Sequence, residues 1–326
     1  MNIDLCSTTN FLKPTVNVDC QTLDNYNNIN EIQLYKKISK LYAVKQDNIQ
    51  IFQNNYNAIY SLLSLFETKL CYIYSPAPVF YKQIALKYKY TVELINRYVD
   101  LQKNIEANSL VIFANPSMPD GSFYDLLELL KIWDEKNCTI LIDESFLDFT
   151  SFSSSKEFIN KYKNLYILKS TEYFYSKFNI SLVSILGNNK NISELKKHEP
   201  SLNLSHLDNI YIQNMLKDKS FAKVSRTLNI TNKEYFCRIL ENSKYVLKVF
   251  PSSTNYILVQ LSIRYLEEFK HHFHQKNVDV KECSEFDFLD DSFIRVSVKS
   301  EKELKYISEL FLANTTFCNP KSQDNN

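Results

Sequence analysis

Three short stretches of this 326-residue chain place reactive side chains where strands should end. The first, Asn115-Pro116-Ser117-Met118-Pro119-Asp120-Gly121, is a rigid turn with two prolines and one of only two glycines in the sequence. The second, Asp143-Glu144-Ser145-Phe146, offers adjacent carboxylates. Neighbouring residues on a strand point to opposite faces, so these two predict one carboxylate per face and not an acid–base pair. Asp143 fits a helix cap, a surface residue or a buried functional acid. The third stretch, Lys169-Ser170-Thr171-Glu172-Tyr173-Phe174-Tyr175-Ser176-Lys177, gathers amines and hydroxyls. His271, His272 and His274 cluster elsewhere, but their spacing sends them to different helix faces. A solvated helix surface is expected there, not a metal site.

The elements that must position these groups are legible as periodicity. Residues 31–44 and 57–67 carry apolar side chains at helical spacing. Short apolar runs at 70–74, 91–95, 110–114, 139–142, 165–168 and 182–186 read as strands. They alternate with helices at 79–87 and 122–135. Buried runs of that length separated by helices predict a mostly parallel sheet with helices on both faces. In such a sheet, functional groups gather at the C-terminal ends of the strands. Beyond 186 the pattern changes to a long helical tract over about 207–242, paired strands at 245–250 and 255–261, and a helix at about 264–276. Strands at 278–283 and 293–298 and a closing helix from 301 follow. We therefore expect an arm over 1–30, a large α/β domain over 31–205, a small α+β domain over 206–314 and a tail over 315–326.

Composition narrows the function classes. The 38 basic and 37 acidic residues are spread evenly, which leaves no electrostatic footprint for nucleic acid or an anionic membrane surface. Seven cysteines stand singly, without a C-x-x-C pair, so neither a disulfide framework nor a zinc site is expected. The sequence shows no basic-then-apolar leader and no membrane-length apolar run, and a soluble cytoplasmic protein is expected. Average usage would supply about twenty-three glycines. Two exclude a G-x-G-x-x-G turn and a Walker A loop. Positive-φ positions must then fall to Asn, the next most tolerant residue.

Taken in order, the motifs resemble the fold-type I aminotransferases that use pyridoxal 5′-phosphate (PLP), in the branch with histidinol-phosphate aminotransferase and threonine-phosphate decarboxylase. Residues 4–14 (DLCSTTNFLKP) resemble the N-terminal D-F-S-x-N-x-N-P-L-G-P, and residues 48–60 resemble N-I-x-x-G-N-G-S-x-E-x-I. The turn N-P-S-M-P-D-G stands for N-P-N-N-P-T-G, and D-E-S-F-L-D-F for D-E-A-F-I-D-F. The resemblance implies the PLP-dependent transferase fold, a homodimer and a small amino-acid or phosphoamino-acid ligand. It implies that Asp143 pairs with the cofactor's pyridine nitrogen, the contact that keeps the ring an electron sink, and that Phe80 stacks on the ring. Asn54, Asn55 and Ser170 fall in the phosphate-binding segments, with Asn115 in the turn beside the ring. Tyr26 would reach a phosphate across the dimer interface, and Arg295 would grip a substrate carboxylate.

The same comparison exposes losses. The Schiff-base lysine position is Tyr173, the phosphate-clamping Arg is Ser181, and the Asn that meets the ring hydroxyl is Met118. Family glycines are replaced by Lys13, Phe52, Asn54, Asn179 and Val183; of these, Asn54 and Asn179 are expected to retain a positive φ. A tyrosine hydroxyl cannot form an imine and is a poor base at neutral pH. Lys169 and Lys177 are the nearest substitute amines. Two readings stand: a PLP-dependent aminotransferase or decarboxylase relative, or a non-catalytic binding, regulatory or partner subunit.

Overall fold

Apolar runs with no polar alternation need cover on both faces, and the central sheet supplies it. The computed structural model describes residues 3–16, 31–67, 69–175, 182–198 and 206–312, with Ile180 and Leu204 between them. After β1 (Ile3–Asp4) and α1 (Glu31–Tyr42), the chain forms β2 (Ile49–Phe52), α2 (Asn55–Ser64), β3 (Leu70–Ser75), α3 (Val79–Lys87), β4 (Thr91–Asn96) and β5 (Leu110–Ala114). It continues through α4 (Leu127–Glu135), β6 (Thr139–Asp143), β7 (Leu165–Ser170), β8 (Val183–Leu186) and α5 (Asn189–Lys197). Seven strands pair in the order β2-β8-β7-β6-β5-β3-β4. Strands β3 to β7 are parallel, while β8 runs antiparallel to both of its neighbours. The architecture is the α/β, mostly parallel arrangement expected from the sequence.

Alternation along each strand divides the core. Val111, Phe113, Ile140, Ile142 and Ile167 pack towards Leu34, Trp133 and Ile212 on one face. Leu110, Ile112, Leu141, Tyr166 and Leu168 pack towards Ile59, Leu62 and Ile84 on the other. Continuing that alternation puts Asp143 on the α2–α3 face and both Glu144 and Lys169 on the α1–α4 face.

Downstream lie α6 (His206–Met215), α7 (Phe221–Glu241), β9 (Val246–Val249), β10 (Tyr256–Leu261), α8 (Leu266–Gln275), β11 (Val278–Asp279), β12 (Lys281–Glu282), β13 (Phe293–Ser297) and α9 (Glu301–Leu312). The second sheet has the antiparallel order β12-β13-β10-β9. Its separate core includes Phe236, Leu240, Phe269, Val296 and Phe311. Strand β1 pairs in parallel with β11, so the N-terminal arm is tied down there. Among the described residues no helix is long and apolar enough to cross a membrane, and no cluster of His, Cys, Asp or Glu has metal-binding geometry.

Several boundaries differ from the periodicity. The helix expected from 122 starts at Leu127, because Asn115 grips Tyr124 through both its amide ends, each at 2.9 Å, and holds the preceding segment out of the helix. The tract over 207–242 breaks in two: Asp218 accepts from the backbone N–H of Ser220 at 3.2 Å and Phe221 at 3.1 Å, which starts α7 afresh. The expected strand 278–283 divides, β11 going to β1 and β12 to β13. Strand β2 and helix α5 went unread. Asn does occupy positive-φ positions at Asn108, Asn137 and Asn277, but Ala43, Lys89 and Phe288 do so too.

Candidate functional site

Strand β6 ends on Asp143, which is buried and whose carboxylate is fully engaged. Its Oδ2 accepts from the Tyr81 hydroxyl, and its Oδ1 accepts from the Ser145 backbone N–H at 2.8 Å. Burial raises the Asp143 pKa, and the two hydrogen bonds oppose that rise. Tyr81 was not singled out in the sequence; the only local hint is its place beside Phe80. Phe80 lies on α3 with its ring centroid 4.5 Å from that of Tyr81 and 5.2 Å from that of Tyr56.

The segment after β7 carries Tyr173. Its backbone C=O accepts from the Asn10 N–H at 2.7 Å, and the Asn10 side chain donates to the Phe174 carbonyl at 3.2 Å, so the N-terminal arm pins this turn. The Tyr173 ring stacks on Phe146 at a centroid distance of 4.2 Å, and Tyr256 meets Phe146 edge-on at 5.0 Å. Asn55 Nδ2 is shared between the Tyr173 hydroxyl at 3.3 Å and Glu172 Oε2 at 3.4 Å. Burial first, then the charges of Glu172 and Asp143, hold the Tyr173 hydroxyl far above its ordinary pKa. It therefore stays neutral and is unavailable as a base at physiological pH.

Lys169 does not join this group. It lies on the opposite face of the sheet with its Nζ 2.9 Å from Glu144 Oε2, a pair buried on both sides. That placement removes it as a substitute amine. The two carboxylates of Asp143-Glu144 likewise part company, Glu144 also accepting from the Ser155 backbone N–H at 2.6 Å.

Arg295 enters from β13. It is only 6% exposed. Its Nη2 donates to the Cys6 carbonyl at 2.6 Å, and its Nη1 lies 3.4 Å from the Met118 sulfur. Its Nε is buried without a partner, and among the described residues no carboxylate pairs with it. Burial lowers its pKa, as expected of a guanidinium that lacks a counter-ion. Tyr173, Phe80, Met118 and Arg295 line one open cavity of about 480 Å³, shared with Tyr56 and Lys281. Lys281 is itself paired with Glu285 at 2.7 Å. Asn54, Asn55, Asn115 and Ser170 are not among the lining residues, while Tyr26 and Lys177 lie outside the described residues.

Comparison with known proteins fixes the family. The model for aminotransferase class I and II matches residues 8–311. The chain belongs to the class I and II aminotransferase family. Histidinol-phosphate aminotransferase from Francisella philomiragia is 26% identical over 297 residues, covering 85% of this chain and 80% of the relative. Several other curated histidinol-phosphate aminotransferases are matched over only about half of their own length. Among solved structures, histidinol-phosphate aminotransferase from Clostridium acetobutylicum aligns with a TM-score of 0.85 at 24% identity, covering 95% of this chain and 98% of that one. The L-threonine-O-3-phosphate decarboxylase from Porphyromonas gingivalis aligns at 0.79 and 18%, with the same coverage of each. These structural likenesses establish the shared PLP-dependent transferase fold.

Family membership implies PLP, and the described residues do not fit it as a covalently held group. Tyr173, which the resemblance sets at the lysine position, is a neutral, stacked phenol, and the one described lysine that lines the cavity is ion-paired. Two of the expected phosphate-segment residues make local hydrogen bonds. Asn54 has φ −153°, so it does not hold the expected left-handed turn; its side chain caps α2 by accepting from Asn57 N–H at 2.9 Å. The Ser170 Oγ accepts from Glu172 N–H at 3.1 Å. Two replaced glycines, Phe52 and Val183, lie directly opposite each other in the β2–β8 pairing and fill the core as regular strand residues.

Proposed function

We propose that this class I and II aminotransferase relative has a degenerate cofactor site and binds a small amino or phosphoamino acid without a lysine-linked cofactor. The observation that carries the reading is Arg295, a buried guanidinium that opens on the cavity with Nε unpartnered and no carboxylate beside it. Leaving such a group unpaired costs stability, and a ligand carboxylate is the partner its fork geometry suits. Tyr173, its ring stacked on Phe146, supplies a flat wall, and Phe80 lines the same space. A neutral hydroxyl at the lysine position leaves no group there that accepts an α-proton, so binding, not transamination, is the activity expected of this pocket. A cytoplasmic homodimer is proposed alongside it.

Two measurements test the reading. Isothermal titration calorimetry with amino acids and phosphoamino acids should give saturable heats that Arg295→Ala weakens by about 100-fold, the loss of a charged bidentate contact. Mixing the protein with PLP should give no visible imine band, and borohydride should fix no pyridoxyl group. A labelled peptide containing Lys169 or Lys177 would return the chain to the catalytic reading.

A further inference from the structure

We propose that the Arg295 cavity is a site for a monocarboxylate with an aromatic body, and that it reads the carboxylate and the ring but not an amino group. The inference rests on Arg295 as the carboxylate site and narrows the ligand class that the site takes.

The surroundings of Arg295 fix its position without cancelling its charge. Its Nη2 donates to the Cys6 carbonyl at 2.6 Å, its Nη1 lies 3.4 Å from the Met118 sulfur, and its guanidinium carbon stands 5.6 Å from the Tyr256 ring centroid. A carbonyl, a thioether and an aromatic ring are all neutral partners. Glu285 is the one carboxylate among the described residues that line the cavity, and Lys281 pairs with it at 2.7 Å. Arg295 is thus the unbalanced charge of the lining, and a single negative charge is its complement. An α-ammonium sits beside the carboxylate it belongs to, so it would come close to the same guanidinium and bring like charge. Among the described lining residues no unpaired carboxylate offsets that repulsion.

The rest of the lining is mostly apolar and largely aromatic. Tyr56 on α2 and Phe80 on α3 stand with ring centroids 5.2 Å apart, and Tyr173, stacked on Phe146 at 4.2 Å, lines the same space. Met118 packs against the small cluster of Leu258, Cys283 and Phe286, which brings a thioether and a buried ring to the same cavity as Arg295. Met118 touches both parts of the site: its sulfur meets Arg295, and its side chain packs with the Phe286 cluster. It therefore joins the carboxylate site to the apolar wall. Small-molecule pockets are built this way, with mostly apolar walls and a few polar groups that fix orientation, and a volume of about 480 Å³ suits one. A flat ring gains contact area against such walls and stacks offset or edge-on with the aromatic side chains, an advantage that a small or polar body lacks.

Isothermal titration calorimetry on the full chain with 3-phenylpropanoate, L-phenylalanine, 2-phenylethylamine and propanoate separates the three ligand groups. 3-Phenylpropanoate should bind as tightly as L-phenylalanine or more so. 2-Phenylethylamine, which lacks the carboxylate, and propanoate, which lacks the ring, should each bind at least about tenfold more weakly than 3-phenylpropanoate. Met118→Asn should lower the preference for 3-phenylpropanoate over propanoate by about fivefold, and Met118→Leu should keep it. If Met118→Asn melts early, the wild-type ranking alone decides. Tighter binding of L-phenylalanine, or propanoate binding that matches 3-phenylpropanoate, overturns this inference and leaves Arg295 as a carboxylate site. 2-Phenylethylamine binding that matches 3-phenylpropanoate overturns both. Should none of these probes bind while another amino acid or a phosphoamino acid does, the inference falls and the reading of the site stands; should those fail too, both fall.

Discussion

Two turns leave the C-terminal edge of the same sheet, and they have met different fates. The turn after β5 is built on backbone geometry. Gly121 sits at φ +73°, where a Cβ would lie 2.2 Å from Ser252 Oγ, and its carbonyl accepts from Ser253 N–H at 2.8 Å. Within it, Ser117 N–H donates to the Ser122 carbonyl at 2.8 Å. The turn after β7 keeps its backbone bonds equally well: Thr171 N–H to Leu182 O at 2.9 Å, and Tyr175 N–H to Thr171 O at 3.0 Å. What sets it apart is side-chain chemistry, with Glu172 and Tyr173 where the resemblance calls for a small residue and a lysine. The first turn packs against Ser252 and Thr254 between β9 and β10, and any side chain at Gly121 would be strained and would have to displace them. The second turn needs only its backbone to hold shape, so its reactive groups can change while the fold stays intact.

The comparison breaks first at Gly121. Gly121→Val should destabilise the protein by about 3 kcal/mol or more, combining left-handed strain with a clash against Ser252 and Thr254. Gly187→Ala is the control. The nearest atom to a Cβ there is Ile192 Cδ1 at 3.4 Å, an ordinary contact, and the change should stay within about 1 kcal/mol. Urea denaturation of both variants decides the matter. Equal losses would mean that the first turn is no more constrained than any other buried loop.

How far the sequence announced all this depends on the range of the interaction. Strands β3 to β7 were legible because burial on both faces writes an unbroken apolar run into each. The helix start at Leu127 was not, since a side chain twelve positions earlier in the chain, Asn115, sets it by gripping Tyr124. The cavity's Phe80, Met118, Tyr173 and Arg295 were all read from motifs. The Tyr81–Asp143 contact spans 62 positions and the Asn55–Glu172 contact 117, and no local pattern encodes either. Glu172 carries no local signal either, because the residue it contacts, Asn55, lies on another element.

The second turn makes its own prediction about pH. Glu172 and Asp143 both have folded-state pKa values above their ordinary 4.5 and 3.8. A carboxyl raised in this way keeps its proton longer in the folded state than in the unfolded one. Stability is therefore greatest with the group protonated and falls as pH rises from the ordinary value through the folded one. Glu172→Gln removes one of the two contributions. Between about pH 4 and pH 8 the variant should lose less stability than the wild type, while all other carboxyls titrate alike in both. Chemical denaturation across that range checks the difference, and parallel curves would show that Glu172 titrates alike in the folded and unfolded states.

The smallest effect should come from the residue at the lysine position itself. Tyr173→Phe keeps the ring that stacks on Phe146 and removes only a hydroxyl that accepts from Asn55. The Asn55 amide retains Glu172 as acceptor, so the expected cost is about 1 kcal/mol, that of one neutral hydrogen bond. Amino-acid binding should change by no more than about twofold if Tyr173 is a wall, since a neutral ring and a neutral phenol present nearly the same surface to a ligand. A loss of binding as deep as that of Arg295→Ala would make the hydroxyl a ligand contact in its own right. The second turn would then have exchanged one functional group for another, instead of losing its function.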